Sequence, residues 1–192
     1  MEASSLRAAD EESHAGSINI GVIRSQQWAL NTSIADDGTI ASSAAEPETR
    51  ALTFQSNGAV ELVVRAGAPF ANEPTDGLSA PGSLLDREIY EPGQFDNPYP
   101  NPPPTDPSEI GAYLAQSIGI TKPTAGDYLR GIDDLLNNRL LNAAEEAAVL
   151  QFLATLKGLK LAGAVTDRLD RNGIAYIATD RRPGEYEDML IV

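Results

Sequence analysis

"RALTFQSNGAVELVVRAG", residues 50–67, decides how this chain folds. Leu52 and Phe54 alternate with polar neighbours, Asn57-Gly58 offers the positive φ of a tight turn, and Val60, Leu62 and Val64 alternate on the return. Alternation places the apolar set on one face of each strand, so the segment predicts a β-hairpin with one buried face. Upstream, Ile18, Ile20 and Val22 alternate in the same way, and the Asp-Gly of "ADDGT", residues 35–39, is a second hairpin signal. Residues 16–66 are therefore expected to form an antiparallel meander. Residues 1–15 read as a flexible or short helical segment, the helix lying around residues 6–12.

Outward on the other side, residues 67–106 are rich in proline, glycine and turn formers and read as one long loop. Four aromatic residues in it, Phe70, Tyr90, Phe95 and Tyr99, are the candidate ligand-binding residues, placed to cover an apolar groove. The plainer expectation is that they pin a proline-stiffened crossover to the body. "NPPP", residues 101–104, is too short to define a polyproline ligand.

Three helices follow over residues 107–157. Asp106 can cap the first, with Pro107 at its first position and Glu109 at its third. Thr124 can cap the second, where Leu129, Ile132, Leu136 and Leu140 recur at helical spacing. Asn142 with Glu145 forms a capping box for the third, whose apolar stripe is Val149, Phe152, Leu153 and Leu156 and whose end is set by Gly158. Residues 158–192 then read as three short strands. The last stops at Val192 on an apolar run, so more sheet is expected to follow it. The prediction is an α+β fold: a curved antiparallel sheet packed on one face by three helices and the long loop, as a single domain from residue 16 to residue 192.

Composition narrows the function classes. The chain has 192 residues, is 42% hydrophobic and carries a net charge of −14, a balance that repels phosphate backbones and argues against nucleic acid as partner. With no cysteine there is neither a disulfide nor a thiolate ligand or nucleophile. The single histidine, His14, lies in a polar stretch and reads as a bystander, which removes histidine-based metal sites and most acid–base dyads. No apolar run reaches the roughly 18 residues a membrane span needs, and the opening "MEASSLRAADEE" lacks the pattern of a signal peptide. The chain is thus expected either to be cytoplasmic or to begin after an export or anchor segment. No metal and no cofactor is called for.

Acidic clusters are the remaining candidates. Asp167, Arg168, Asp170, Arg171 and Asp180 crowd the last hairpin, where Asn172-Gly173 already signals a turn, and the cluster reads as a solvated rim of local ion pairs. Glu145 and Glu146 favour a helix N-terminus, and Asp133-Asp134 stands in the second helix. "DRLDRNGIAYIATD" resembles a calcium loop only loosely: two arginines interrupt it and the terminal glutamate is missing. Nucleophile-elbow, P-loop and dinucleotide motifs are absent. Asn31-Thr32-Ser33 fits a glycosylation triplet, which arises often by chance.

"PPTDPSEIGAYL" followed by "GIDDLLNNRLLNAAEEAAVLQFLATLKGLKLAGAVTDRLDRNGIAYIA" resembles an uncharacterised family of actinobacterial membrane-anchored proteins. The shared order is a "PTDP" at residues 104–107, "DLL" at 134–136, a helix end at 153–158 and a strand–turn–strand at 163–175. The resemblance covers about residues 100–180, and the amino-terminal meander only in outline. It implies an extracytoplasmic domain behind a short tail and one transmembrane helix, often encoded near sigma-factor systems. It carries no catalytic residue over. The family continues with a further strand and turn where this chain stops. The layout is also similar, by analogy alone, to lipoprotein carriers.

The functional expectation is a non-enzymatic, extracytoplasmic binding or sensing domain of an anchored envelope protein. Its partner would be an apolar ligand or another envelope protein, and it would meet a membrane only through an anchor outside this chain. A carrier of a lipid or other apolar ligand in a sheet–helix groove is the alternative. A carboxylate-based hydrolase ranks third.

Overall fold

The computed structural model describes residues 4–8, 19–69, 77–167, 171–182 and 185–191. The fold is α+β, with antiparallel strands and three helices among the described residues. Its strands form two sheets where a single curved sheet is expected, and the chain divides into two compact units, residues 3–96 and 97–192. Between the last strand of the first unit and the first helix of the second, Pro92, Pro98, Pro100, Pro102, Pro103 and Pro104 lack the N–H that would extend a ladder.

The first unit is a five-stranded meander in sequential order: β1 (Ser4–Ala8), β2 (Asn19–Ile34), β3 (Ile40–Gln55), β4 (Val60–Ala66) and β5 (Leu84–Tyr90). Both predicted hairpins form. Gly58 has φ 86° beside Asn57, whose side chain accepts from the Ala59 N–H at 2.9 Å. Gly38 has φ 83°, and Asp37 accepts from the Thr39 N–H at 3.0 Å. The β4 residues Val60, Leu62, Val64 and Ala66 are buried while those between them are more exposed. Leu62 pairs with Leu52, and Leu52 with Ile23, continuing the buried face across three strands. In β2 this face carries Ile23 and not the alternating set expected from the sequence, of which Ile20 is 65% exposed, Val22 pairs with Thr53 on the other face, and Ile18 lies outside the described residues.

Two expectations change here. Residues 4–8 are a strand, not the start of a helix, because the outer edge of β2 offers them a ladder from Gln26 to Val22. An isolated short helix has no comparable partner. The long loop of residues 67–106 contains β5, which pairs with β4 from Val60 to Arg65. Most of β5 is exposed, so its sequence shows none of the alternation that a half-buried strand displays.

The second unit holds α1 (Pro107–Ile118), α2 (Ala125–Asn138), α3 (Ala143–Thr155), and an antiparallel sheet of β6 (Lys160–Thr166), β7 (Asn172–Ala178) and β8 (Asp188–Ile191). All three predicted caps are present. Asp106 accepts from Ser108, and Thr124–Asp127 and Asn142–Glu145 are reciprocal capping boxes. The buried row of α2 is Leu129, Ile132 and Leu135, with Leu136 only partly buried and Leu140 beyond the helix end. The α3 helix stops at Thr155, and Gly158 (φ 109°) serves the turn after it. Tyr99, Ile110, Leu114, Val149 and Leu153 complete a core with these residues and Ala178. Among the described residues no helix is long and apolar enough to cross a membrane.

Candidate functional site

On α2, Asp127, Arg130 and Asp134 are spaced three and four residues apart, which puts them on one helical face, away from the buried row of Leu129, Ile132 and Leu135. This polar face borders an open cleft of ≈ 400 Å³, within the range of small-ligand sites. Ile118 at the end of α1 and Ile120 just after it give the cleft an apolar side. Arg181, Arg182 and Tyr186, from the connection between β7 and β8, close the other side.

Close backbone approach builds this wall. Gly126 lies so near that connection that a Cβ there would stand 2.8 Å from Asp188 Oδ2 and 2.9 Å from Arg181 Cβ. Asp180 fixes the same junction by accepting from the Gly126 N–H at 2.9 Å and the Ala125 N–H at 3.3 Å, an acidic group on the positive end of the α2 dipole. The Arg181 guanidinium donates to both Asp188 oxygens, at 2.8 and 2.9 Å, and lies 3.7 Å above the Tyr186 ring. The bond to Asp188 raises the proton affinity of Arg181 still further.

The hydrogen-bond inventory of the cleft is lopsided. Asp127 accepts from the Thr124 N–H and hydroxyl, at 2.8 and 2.9 Å. Asp134 accepts from the Tyr99 hydroxyl at 3.1 Å and the Asn138 amide at 3.2 Å. Arg182 donates to the carbonyls of Thr179 and Arg181 at 3.4 and 3.1 Å. The Arg130 side chain, exposed on the cleft rim, makes no salt bridge or hydrogen bond among the described residues. Both carboxylates here already have donors, whereas the Arg130 guanidinium, though its charge acts on Asp133, has no hydrogen-bonded acceptor among the described residues.

Asp133, next to this face, does not line the cleft. Burial, reinforced by the neighbouring Asp134, pushes its carboxyl up to about 7. Among the described residues no group of three or more His, Asp and Glu side chains could hold a metal ion.

Of the four aromatic residues read from the sequence as one ligand-covering set, two belong to the first unit and one to the second. Phe70 lies outside the described residues. Tyr90 and Phe95 belong to the first unit and pack edge-on, 5.3 Å between centroids, with Phe54 6.3 Å from Phe95; the Tyr90 hydroxyl donates to Glu88. Tyr99 belongs to the core of the second unit, 1% exposed, its hydroxyl donating to the Gly131 carbonyl at 3.0 Å. Burial, then the charge of Asp134, raises that hydroxyl well above the ordinary tyrosine range. Tyr99 pins residues 97–101 to α2, as the plainer expectation for such a loop has it.

The acidic hairpin also divides. Asp167 accepts from Arg171 Nε at 2.6 Å and from its N–H at 2.9 Å, a local ion pair at a turn; Arg168 and Asp170 lie outside the described residues. Asn172 and Gly173 are paired within β7, not in the turn, and Asp180 lies past the opposite end of that strand. His14 also lies outside the described residues. Arg130, Arg181, Arg182 and Tyr186 carry no motif. The only trace of the site in sequence is the polar 127–130–134 face, and nothing in the order of residues ties it to positions some fifty residues later.

Set against protein-family models, curated proteins and solved structures, the chain matches none.

Proposed function

We propose that this protein is a non-enzymatic binding domain whose second unit takes a small oxyanion, a carboxylate or phosphate with an apolar portion, in the cleft beside α2. The observation that carries this reading is the unequal inventory: cleft carboxylates hold donors already, whereas the Arg130 side chain has no hydrogen-bonded acceptor among the described residues. A ligand that brings acceptor oxygens can use Arg130, and Ile118, Ile120 and Tyr186 offer surface to whatever is attached to them. The resemblance over residues 100–180 supports placing the domain outside the cytoplasm in an anchored protein. Resistance to protease added to intact cells would sink that placement.

The alternatives are weaker on the same observations. A carrier with the four aromatics as lid needs them over one groove, and Tyr99 is a core residue. A carboxylate-based hydrolase needs its near-neutral acid in the cleft, and Asp133 does not line it.

Titration of the whole protein with benzoate, followed by amide chemical shifts, tests the reading, with benzamide as the neutral counterpart. Shifts at Arg130, Arg182 and Tyr186 with benzoate alone, weakened about tenfold or more by Arg130→Ala, are expected, about 1.4 kcal/mol of binding. Equal response to benzamide, or no response to benzoate up to about 10 mM, would refute it.

A further inference from the structure

Asp133 stands beside the cleft without entering it. On α2 it follows Arg130 by three residues and precedes Asn137 by four, so the three lie on one side of the helix. The Arg130 side chain reaches the cleft rim with no hydrogen-bonded acceptor among the described residues, and Asp133 is the carboxyl whose charge meets it from behind.

Most groups around Asp133 favour its neutral form. Asp134 beside it and Asp188 from β8 are both acidic, and Asp188 is already paired to Arg181 at 2.8 and 2.9 Å. The Tyr99 hydroxyl, from the segment before α1, stays protonated because burial raises it. Arg130 is the cation that acts on Asp133 in the opposite sense. Asn137 hydrogen-bonds Asp133, and its own Oδ1 is buried without a donor among the described residues. With that amide turned over, a protonated Asp133 can donate to the oxygen, which an ionised one cannot.

We propose that Asp133 gates the cleft by pH: while it keeps its proton, Arg130 holds a ligand oxyanion, and once it loses that proton it competes for Arg130 and weakens the ligand's hold. The gate rests on the anion-binding reading of the cleft and adds its regulation. Burial, then the charge of Asp134, pushes the Asp133 carboxyl up to about 7. Below that pH the charges on this side of α2 are Arg130 and two carboxylates, Asp127 and Asp134, that already hold donors. Above it a third carboxylate appears three residues from Arg130, close enough to offset its charge. Anion affinity therefore falls as pH rises through about 7. Coupling is reciprocal, so a bound anion raises the proton affinity of Asp133 by the same factor. The cleft loads on the acid side of neutrality and unloads on the alkaline side.

Benzoate affinity of the whole protein at about pH 5.5 and about pH 8, at constant salt, is the test. The methyl signals of Ile118 and Ile120 in the cleft report it. Benzoate is ionised at both values, since carboxyls titrate near roughly 4, so the ligand does not change charge. Wild type should bind about fivefold or more weakly at the higher pH. Asp133→Asn should keep the low-pH affinity at both. Saturating benzoate should also raise the pH midpoint of the Asp133 carboxyl carbon signal by the matching amount, a readout that needs no variant. Binding of equal strength at both pH values, with an unmoved midpoint, overturns the gate and leaves the cleft standing. So does a loss at higher pH that persists in Asp133→Asn, which assigns it to another group such as His14. No binding at either pH in either protein removes the cleft reading and the gate with it.

Discussion

Replacing Asp133 by asparagine should stabilise the second unit, and do so only as pH rises above the ordinary carboxyl range. Folded, Asp133 holds its proton to about pH 7; unfolded, it releases it near 3.8. Between these values the unfolded state binds fewer protons, so this group makes stability fall as pH rises from about 4 to about 7, after which its contribution is level. A tenfold change in proton affinity is about 1.4 kcal/mol, so the full displacement corresponds to roughly 4 kcal/mol, an upper figure that relaxation around a charged Asp133 reduces. Asparagine keeps the size of the side chain, removes the charge, and brings N–H donors beside Asn137, whose Oδ1 is buried without a partner among the described residues. The gain over wild type should be near zero at pH 4 and roughly 2–4 kcal/mol at pH 8. Urea unfolding followed by circular dichroism at 222 nm suits the question, because the three helices among the described residues all belong to the second unit. A gain of the same size at both pH values, or a loss at pH 8, would refute the claim that Asp133 is neutral in the folded protein below pH 7.

Two further substitutions probe how the cleft is held. Tyr99→Phe keeps the buried ring but deprives the Gly131 carbonyl and Asp134 of a donor, and should cost about 1–2 kcal/mol in the same unfolding measurement; an unchanged midpoint would remove Tyr99 as an anchor. Gly126→Ala sets a methyl group against Asp188 and Arg181, and should lower stability by about 1–3 kcal/mol while shifting the amide signals of Arg181 and Tyr186. Shifts confined to α2 would show that the β7–β8 connection does not rest on that glycine.

Local order was legible in the sequence wherever one short segment holds both the signal and its partner. Asn57-Gly58 turns the chain with no help from elsewhere, and the capping boxes at Thr124–Asp127 and Asn142–Glu145 close within four residues. The α+β class follows from such signals taken in order. What failed were segments whose structure is lent by a neighbour. Residues 4–8 become strand through the edge of β2, and exposed β5 through the edge of β4. The same limit applies to charge: Asp180 looked like part of an acidic turn and is the ligand of a helix terminus about fifty-five residues back.

By itself, then, the sequence determined the turns, the helix starts and the buried face of the hairpin of β3 and β4, because each depends on spacing within a few residues. Tertiary structure alone decided that the strands form two sheets, that Tyr99 belongs to a core, and that Arg130 meets Arg181, Arg182 and Tyr186 across one cleft. Those outcomes turn on which backbone edges and helix faces come within hydrogen-bonding or packing distance. No periodicity encodes that proximity, which only the folded chain brings about.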